Sequence, residues 1–279
     1  MTAAPTLPTE PGPFTCPLCG AHGFAVLETQ ADWLARAARA QDERRLIGEI
    51  VAADGTLDFG AVVRCEACAL STVRTPPTPE ALGRFYSAYY ASASYGTKRD
   101  KKIRRAAKRV RRLRRSVGSG GRRFLDVGAN LGYAVEGARR EGFQATGIEI
   151  DGAAVAQAQA DFPENRYVKA TVEAFAARGE VFDLVYCSEV IEHVVDVRGF
   201  ADALRALVAP GGVLFLTTPA DGHRATPDPL VSWVQVKPPE HLHWFRREHL
   251  LDLFPNEDFR VRFQFNPKPG WKMVAVRSA

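Results

Sequence analysis

The most reactive group of side chains in this 279-residue sequence lies in the segment SEVIEHV, residues 188–194. The segment follows FDLVYC, an apolar run of strand length. Glu189, Glu192 and His193 are three and four positions apart, so a helix would place them on one face. Carboxylates beside an imidazole at the end of a core strand could bind a divalent ion, transfer a proton or cap a helix.

Two CxxC pairs form a second group of candidate ligands. Cys16 and Cys19 lie in CPLCG, and Cys65 and Cys68 lie in CEAC. Four thiolates neutralise and surround a Zn²⁺ ion, whereas disulfides are typical of secreted chains. The separation of the pairs exceeds the roughly 15–20 residues of a compact zinc ribbon, so two unrelated or redox pairs remain the alternative. The pattern favours a structural Zn²⁺ site.

A glycine loop is the third pattern. FLDVGANLGYAV places Asp126, Gly128, Asn130 and Gly132 between a predicted strand and a predicted helix, where backbone N–H groups approach a ligand closely. Glu149 follows about 20 residues later, at a position where an acidic side chain accepts both hydroxyls of a ribose. A nicotinamide cofactor would favour G-x-G-x-x-G, but the sequence from Gly128 reads G-A-N-L-G.

These residues depend on alternating strands and helices after Arg122. The predicted strands are 122–128, 144–150, 165–170, 182–187 and 212–218, followed by a hairpin of 258–265 and 272–278. The predicted helices lie near 132–141, 152–161, 172–178, 192–208 and 246–254. Such alternation predicts an α/β fold with a parallel sheet covered on both faces. Between the CxxC pairs, ADWLARAARAQDERRLIGEIVAA predicts an inserted helix.

We expect four parts along the chain. They are a flexible tail at 1–13, a zinc-ribbon-like module at 14–75, a Tyr-rich and basic helical linker or lid at 76–120, and an α/β domain at 121–279. The Pro-rich start lacks the basic and apolar regions of a signal peptide, and no apolar run is long enough to span a bilayer. These features predict a cytoplasmic protein.

Positive charge is concentrated in one predicted helix. The chain carries a net charge of +5, and the segment KRDKKIRRAAKRVRRLRR at 98–115 contains twelve basic residues and one Asp. Its apolar residues recur at helical spacing, which predicts a narrow buried stripe on a basic helix. The exposed charge could face phosphates, anionic lipid or RNA, or only water.

Four motifs in order give the sequence a family resemblance. LDVGANLG, GIEID, FDLVYCSEVIEHV and VAPGGVLFLTTP resemble the successive motifs of class I S-adenosylmethionine-dependent methyltransferases, and the likeness runs from residue 122 to the C-terminus. The resemblance implies a doubly wound, Rossmann-like sheet of seven strands that ends in an antiparallel hairpin. It also implies an enzyme that transfers a methyl group from S-adenosylmethionine.

The resemblance further implies which residues contact that cofactor. The methionine end would be held by Asp126, Gly128, Asn130 and Gly132. The ribose and adenine would be contacted by Glu149, Ile150, Thr171 and Val172. Cys187 and Ser188 would lie near the sulfonium, although a small buried residue on a core strand is the simpler interpretation of Cys187.

Three interpretations of SEVIEHV follow. In ubiquinone-pathway O-methyltransferases, which it resembles, Glu189, Glu192 and His193 would bind a divalent ion that positions the acceptor. In zinc-ribbon sugar C-methyltransferases, which it also resembles, the Glu192–His193 pair would act in catalysis with His193 as general base. In the third interpretation, Glu189 caps a helix and His193 packs against the sheet. We favour His193 as the base or as a contact to the acceptor.

The long loop after the fifth strand contains the next catalytic candidate. PPEHLHWF resembles the P-x-x-H-x-x-x-F signature of the acceptor-binding insertion, which makes His241 a candidate proton-handling residue. Holding the loop by hydrogen bonds is the structural alternative for His241. We predict only structural roles for His223, His243 and His249.

The acceptor is predicted from the arrangement of modules. A cysteine module, a Tyr-rich helix and a methyltransferase core resemble bacterial enzymes that methylate sugars, polysaccharides or secondary metabolites, in which Tyr89, Tyr90 and Tyr95 could form a lid. Sugar C-methyltransferases carry a further domain after the core, so a carbohydrate hydroxyl is the favoured acceptor. An rRNA or tRNA methyltransferase with a zinc ribbon is the alternative, and a non-catalytic binding module is a third.

Overall fold

The structure is a computed structural model that describes residues 14–92, 98–117 and 120–278. The predicted tail at 1–13 lies outside the described residues. The first part of the described chain contains strands β1 (Phe24–Thr29), β2 (Ala61–Cys65) and β3 (Ser71–Val73), with helices α1 (Gln30–Ala37) and α2 (Glu43–Asp54) between the first two strands. The insertion between the CxxC pairs therefore forms two helices rather than the predicted one. Asp42 begins the second helix by accepting a hydrogen bond from the Arg44 backbone N–H at 3.0 Å.

Two helices connect this region to the large domain. They are α3 (Pro79–Ser92) and α4 (Arg99–Leu113). The apolar stripe predicted for the basic helix is buried in α4, and Gly137 of the facing helix allows the close approach. A Cβ atom at Gly137 would lie 2.9 Å from the Ala107 backbone nitrogen. The basic residues of α4 therefore occupy the remaining faces of a firmly packed helix.

The large domain alternates strands and helices as predicted. In chain order they are β4 (Arg123–Val127), α5 (Tyr133–Arg140), β5 (Gln144–Glu149), α6 (Gly152–Asp161), β6 (Arg166–Lys169), α7 (Val172–Ala176), β7 (Phe182–Ser188), α8 (Val197–Leu207), β8 (Val208–Thr218), β9 (His243–Trp244), α9 (Arg247–Leu253), β10 (Phe259–Phe263) and β11 (Trp271–Arg277). Seven of these strands form one sheet in the order β10-β11-β8-β7-β4-β5-β6. Within this sheet β11 pairs antiparallel with both of its neighbours, and the pairs among β4–β8 are parallel. The predicted α/β fold with its terminal hairpin is confirmed.

The central strands β7 and β8 are buried on both faces because their sequences are largely apolar. Leu184 and Tyr186 of β7 belong to the core that contains α4 and α5, whereas Val185 and Cys187 belong to the opposite core with α8. This alternation follows the two-residue period of a strand. The chain then leaves β7 at Ser188, at the edge where parallel strands end and where open α/β sheets bind ligands.

One predicted helix begins later than expected. Residues 191–193 form a single 3₁₀ turn, and α8 begins only at Val197. Asp196 caps α8 by accepting a hydrogen bond from the Gly199 backbone N–H at 2.9 Å. The interpretation of Glu189 as the cap of this helix is therefore wrong.

A second, smaller sheet joins the cysteine module to the loop after β8. Its order is β1-β2-β3-β9, so a strand from the loop after β8 completes the sheet of the cysteine module. The Trp33 indole N–H donates to the Val236 carbonyl at 2.9 Å, and Lys237 Nζ lies 2.9 Å from Glu43 Oε2. The loop predicted to bind the acceptor also contributes Trp233 to a core shared with α1 and α2.

Among the described helices, none has the length and apolar character needed to cross a membrane.

Candidate active site

A cleft of about 690 Å³ opens at the carboxyl ends of β4, β7 and β8. The glycine loop after β4 forms one wall, α4 forms a second, and the turn between β10 and β11 forms a third. Its volume is within the usual range for small-molecule sites. Four of the residues predicted to contact a cofactor line this cleft, and they are Asp126, Gly128, Asn130 and Ser188.

The glycine loop has the backbone geometry that its sequence predicts. Gly128 and Gly132 both adopt φ +73°, and Asn130 adopts φ +45°. A Cβ atom at Gly128 would lie 2.7 Å from Val190 Cγ2, and one at Gly132 would collide with the Tyr167 ring. Both glycines are therefore required by conformation and by space, and the loop keeps its backbone open to the cleft.

Two acidic residues flank this loop in different environments. Asp126 is buried, and burial together with the charge of Glu149 raises the pKa of its carboxyl well above the usual value. Glu149 accepts hydrogen bonds from the backbone N–H groups of Asn130 at 2.9 Å and Ile150 at 2.7 Å. The carboxylate of Glu149 is thus fixed at the end of β5, and the Ile150 side chain beside it is 62% exposed.

Three further predicted cofactor contacts, Thr171, Val172 and Cys187, do not line the cleft. Thr171 caps α7 by accepting from the Ala174 backbone N–H at 3.2 Å, and Val172 is buried in the core. Cys187 is fully buried, and burial raises the pKa of its thiol well above the usual value. Ser188, one residue later, does face the cleft and shares a 2.8 Å hydrogen bond with the Thr217 hydroxyl.

Glu189 faces the cleft from an unusual backbone conformation. Its φ of +58° turns the chain sharply at the end of β7. The Thr217 hydroxyl donates to Glu189 Oε1 at 2.6 Å, and partial removal from bulk water raises the pKa of this carboxyl. The turn separates Glu189 from the two other reactive residues of SEVIEHV.

Glu192 lies behind the cleft in a fully enclosed position. The Thr218 hydroxyl donates to Glu192 Oε2 at 3.0 Å, and no described residue hydrogen-bonds to Oε1. Burial, followed by the charge of Glu189, raises the pKa of the Glu192 carboxyl well above the usual value. A buried carboxyl oxygen without a hydrogen-bond partner requires an explanation, such as a role in catalysis, a bound ion or a bound water.

His193 holds a fixed proton on one ring nitrogen, and among the described residues it does not line the cleft. Its Nδ1 lies 2.5 Å from the Glu240 carbonyl, so Nδ1 donates to that oxygen, and the Tyr86 hydroxyl is 3.1 Å from the same nitrogen. Burial lowers the pKa of His193 to about 4, which keeps the ring neutral near pH 7. Nε2, 3.8 Å from Glu192 Oε1, therefore carries a lone pair for a proton or a metal ion.

His241 joins this pair from the loop after β8. Its ring centroid is 4.9 Å from that of His193, and its Nδ1 donates to the Gln235 carbonyl at 2.9 Å. Ligand atoms of Glu192, His193 and His241 all lie within 4.8 Å of one another. The predicted metal group of Glu189, Glu192 and His193 is therefore replaced by one in which His241 takes the place of Glu189.

The four cysteines come together as predicted. Cys16 Sγ is 3.6 Å from Cys68 Sγ, Cys19 Sγ is 3.6 Å from Cys65 Sγ, and all four sulfurs lie within 4.8 Å of one another. A disulfide would need about 2.05 Å. Sulfurs around a tetrahedral Zn²⁺ lie roughly 3.8 Å apart for Zn–S bonds of about 2.3 Å. The donor set and its spacing fit Zn²⁺.

Antiparallel pairing of β1 with β2 explains how distant CxxC pairs meet. Phe24 pairs with Cys65, so the chain before β1 and the turn after β2 lie side by side, while α1 and α2 form an excursion between the strands. His249 Nε2 donates to the Cys68 carbonyl at 2.7 Å and ties this site to α9. His243 similarly donates from Nε2 to the Val194 carbonyl at 2.8 Å.

Several residues of the cleft were missed by sequence reasoning. Arg105 and Arg109 of α4 line it, as do Trp271 and Lys272 of β11. The three- and four-residue spacing of Lys102, Arg105 and Arg109 could have identified a common helix face. In the predicted lid, Tyr89 is buried, and Tyr95 and the side chain of Tyr90 lie outside the described residues.

Comparisons with known proteins agree with this architecture. A family model described as a methyltransferase domain matches residues 95–263. The chain is 38% identical over 109 residues to a ubiquinone biosynthesis O-methyltransferase from Cronobacter sakazakii. That alignment covers 37% of this chain and 45% of the relative, so it spans less than half of the curated protein it matches.

Solved structures share the fold at low sequence identity. An S-adenosylmethionine-dependent methyltransferase from Archaeoglobus fulgidus superposes with a TM-score of 0.52 at 15% identity, covering 63% of this chain and 94% of the other. Magnesium protoporphyrin IX methyltransferase from Synechocystis with bound S-adenosylhomocysteine (SAH) gives a TM-score of 0.51 at 17% identity. The superposition covers 71% of this chain and 95% of the other.

Proposed function

Because the chain belongs to the family of methyltransferase domains whose model matches residues 95–263, we propose that it transfers a methyl group from S-adenosylmethionine to a hydroxyl group of a small-molecule acceptor. One observation carries the proposal. The glycine loop, Asp126 and Ser188 line the same cleft at the carboxyl edge of the sheet. A cofactor held on the loop and an acceptor in the cleft would therefore meet in one enclosed space.

The residues beside the cleft suit the proposed cofactor. The sulfonium supplies an activated methyl group, so the protein must mainly align the reactants and exclude water. The open backbone of the loop and the carboxyl of Asp126 would hold the methionine end. Glu149 would accept the ribose hydroxyls at the end of β5, and the exposed Ile150 side chain would pack against the adenine. Ser188 would lie on the acceptor side.

A hydroxyl acceptor also needs a group that removes its proton. We assign this role to His193, because its Nδ1 proton is held by the Glu240 carbonyl and its Nε2 lone pair is available. The curated relative, named as an O-methyltransferase, supports a hydroxyl as acceptor. The preference for a sugar, glycan or secondary metabolite rests on the cysteine module and is the finer part of this proposal.

A divalent ion at Glu192, His193 and His241 is the competing role for the same imidazole. Glu192 Oε1 supports a bound ion, because this oxygen has no hydrogen-bond partner among the described residues. In that case the ion would orient the acceptor hydroxyl, and His193 Nε2 would be a ligand rather than a base. The metal content of wild-type and His193→Ala protein distinguishes the two roles.

Binding of SAH by isothermal titration calorimetry tests the proposal. We expect the wild-type protein to bind SAH, and Gly132→Ala to weaken binding at least about tenfold, since a Cβ atom there collides with Tyr167 and distorts the loop. Gly142→Ala is the matched control, because Gly142 has φ +84° with open space around it and lies away from the cleft. A wild-type protein that binds neither SAH nor S-adenosylmethionine would overturn the proposal.

A further inference from the structure

Positive charge accumulates along one wall of the proposed active site. The basic side chains that line the cleft are Lys102, Arg105, Arg109, Lys268 and Lys272. Three of them come from one face of α4, at intervals of three and four residues, while Lys268 lies in the turn before β11 and Lys272 in β11 itself. The basic helix and the terminal hairpin thus face each other across the same space.

Most of this charge lacks a carboxylate partner. In the described parts of the chain, no carboxylate oxygen lies within 4.0 Å of a charged nitrogen of Arg105, Arg109 or Lys272, and the same holds for Lys268. Other residues of α4 are paired, since Arg99 lies 3.1 Å from Asp161 and Arg111 lies 2.7 Å from Glu141. Arg105 and Arg109 therefore differ from Arg99 and Arg111 of the same helix.

The acidic groups of the cleft offset only part of this charge, because two carboxyl groups face five basic side chains. The carboxyl groups that line it belong to Asp126 and Glu189, and both have raised pKa values. Lys272 has a lowered pKa, caused first by partial removal from water and then by the charges of Arg109 and Arg105. The three cations are thus near enough to repel one another, which an incoming anion would relieve.

Two of these cations are held in place by neutral groups. The Arg109 guanidinium donates to the Tyr186 hydroxyl at 2.7 Å and lies 5.1 Å from the centre of the Phe215 ring. Lys272 Nζ donates to Asn266 Oδ1 at 3.1 Å. Side chains that are ordered without being neutralised lose less conformational freedom when they bind an anion.

We propose that Arg105, Arg109, Lys268 and Lys272 form a subsite for a phosphate or diphosphate group carried by the methyl acceptor. This inference rests on the proposed methyltransferase function and specifies its substrate class. S-adenosylmethionine has one carboxylate, beside an ammonium group, and this carboxylate can pair with only one of these cations. The other cations are then left for a multiply charged anion. Arginine pairs with phosphate through two parallel hydrogen bonds, and lysine adds a point charge.

The concave position of these cations favours a phosphorylated small molecule over RNA. They line the cleft that also contains the glycine loop, whereas Arg104 and Lys108 of the same helix do not line it. An RNA backbone would use the outer cations of α4 as much as the inner ones. The two arrangements therefore predict different effects of substitutions on the two faces.

Titration of inorganic pyrophosphate into the SAH-saturated protein, at constant ionic strength, tests the subsite. We expect binding to wild type, a loss of about tenfold for Arg105→Ala and a larger loss for the Arg105→Ala/Lys272→Ala pair. Arg104→Ala is the matched control on the outer face of α4, and its affinity should stay within about twofold of wild type. SAH affinity of every variant is measured in parallel.

Each result has a defined meaning. Equal losses with Arg104→Ala and Arg105→Ala, for pyrophosphate or for a single-stranded RNA oligonucleotide, would overturn the subsite in favour of diffuse charge or a nucleic-acid surface. Unchanged pyrophosphate binding in the double variant would also overturn it. If wild type fails to bind SAH, the methyltransferase proposal fails, and pyrophosphate titration of the ligand-free protein still decides the subsite.

Two probes distinguish the source of the phosphate. Uridine diphosphate represents a soluble nucleotide-linked acceptor, and phosphatidylcholine vesicles containing phosphatidic acid represent a lipid-linked one. Binding of either probe that is lost in the Arg105→Ala/Lys272→Ala variant supports the subsite. Retention of both in that variant contradicts it.

Discussion

The role of His193 depends on which of its two nitrogens carries the proton. Nδ1 donates to the Glu240 carbonyl at 2.5 Å, so Nε2 is the nitrogen that can accept a proton or bind a metal ion. The pKa of about 4 means that the ring is already neutral at pH 7. Deprotonation of His193 is therefore not required before it can act in either role.

Metal content distinguishes the base from the ligand. If His193 is the base, inductively coupled plasma mass spectrometry should find the same number of metal equivalents per chain in wild type and in His193→Ala, with zinc as the only metal. The loss of one equivalent in His193→Ala would instead assign a second ion to Glu192, His193 and His241. The protein must be purified without a metal-binding tag, and His223→Ala serves as the control because His223 lies outside that group.

His243 predicts a pH dependence of stability that does not involve catalysis. Burial lowers its pKa to about 4, and its Nδ1 accepts from the Thr72 hydroxyl at 2.9 Å. The unfolded chain binds a proton below about pH 6.5, and the folded chain does so only near pH 4, so the contribution of His243 to stability falls as the pH falls between these values.

Comparison of wild type with His243→Gln measures this contribution. Between pH 6.5 and 5.5 we expect the difference in unfolding free energy between the two proteins to shrink by about 1 kcal/mol. Urea denaturation at both pH values gives the numbers, and the buried carboxyl groups shared by both proteins cancel in the difference. A difference that is constant or grows on acidification would contradict the assignment.

The two CxxC turns at residues 16–19 and 65–68, the cysteine knuckles, link the small sheet to helices α8 and α9. The first knuckle is bound by Arg198 of α8, whose Nε donates to the Leu18 carbonyl at 2.6 Å. The second is bound by His249 of α9 through the Cys68 carbonyl. An ion that closes the two knuckles would therefore stabilise the packing of the small sheet against the helices behind the active site.

Loss of a single thiolate should remove the zinc and destabilise the whole protein. For Cys16→Ser we expect no zinc, against one equivalent in wild type, and a melting temperature lower by about 10 °C, because metal binding contributes directly to folding. Cys187→Ala is the matched control, since Cys187 is fully buried in β7 away from the cluster. Equal zinc content in wild type and Cys16→Ser would eliminate the proposed site.

The cysteine module and the loop after β8 form one structure. Strand β9 pairs with β3, and Trp33 and Trp244 belong to one apolar cluster that includes residues from the module and from the loop. The loop after β8 therefore packs on the cysteine module while it brings His241 beside Glu192 and His193. Because each part buries apolar surface of the other, they should unfold together.

Substitution of Trp33 tests this cooperation. We expect Trp33→Ala to lower the unfolding free energy by about 3–5 kcal/mol, because the indole is fully buried and donates to the Val236 carbonyl. Urea denaturation followed by circular dichroism and by tryptophan fluorescence should give coincident single transitions in both proteins. Two separate transitions, with only one shifted by the substitution, would show that the module is independent.

The sequence by itself determined the fold class, the glycine loop and the four cysteines that come together in the structure. These features depend on local order: alternating strands and helices specify a parallel sheet, and glycines at Gly128 and Gly132 permit the left-handed backbone of the loop. The buried stripe of α4 was predictable for the same reason. Such patterns involve residues that are close together in the sequence. They can therefore be recognised without knowing how the rest of the chain folds.

Only the tertiary structure decided which distant residues meet. The left-handed turn at Glu189 and the short 3₁₀ turn after it separate Glu189 from Glu192, and the shared sheet brings His241 in its place. The packing of α4 on α5 likewise aims Arg105 and Arg109 into the cleft rather than into solvent. These contacts join segments that are far apart in the sequence, and they form because they bury the apolar faces of α4 and of the small sheet.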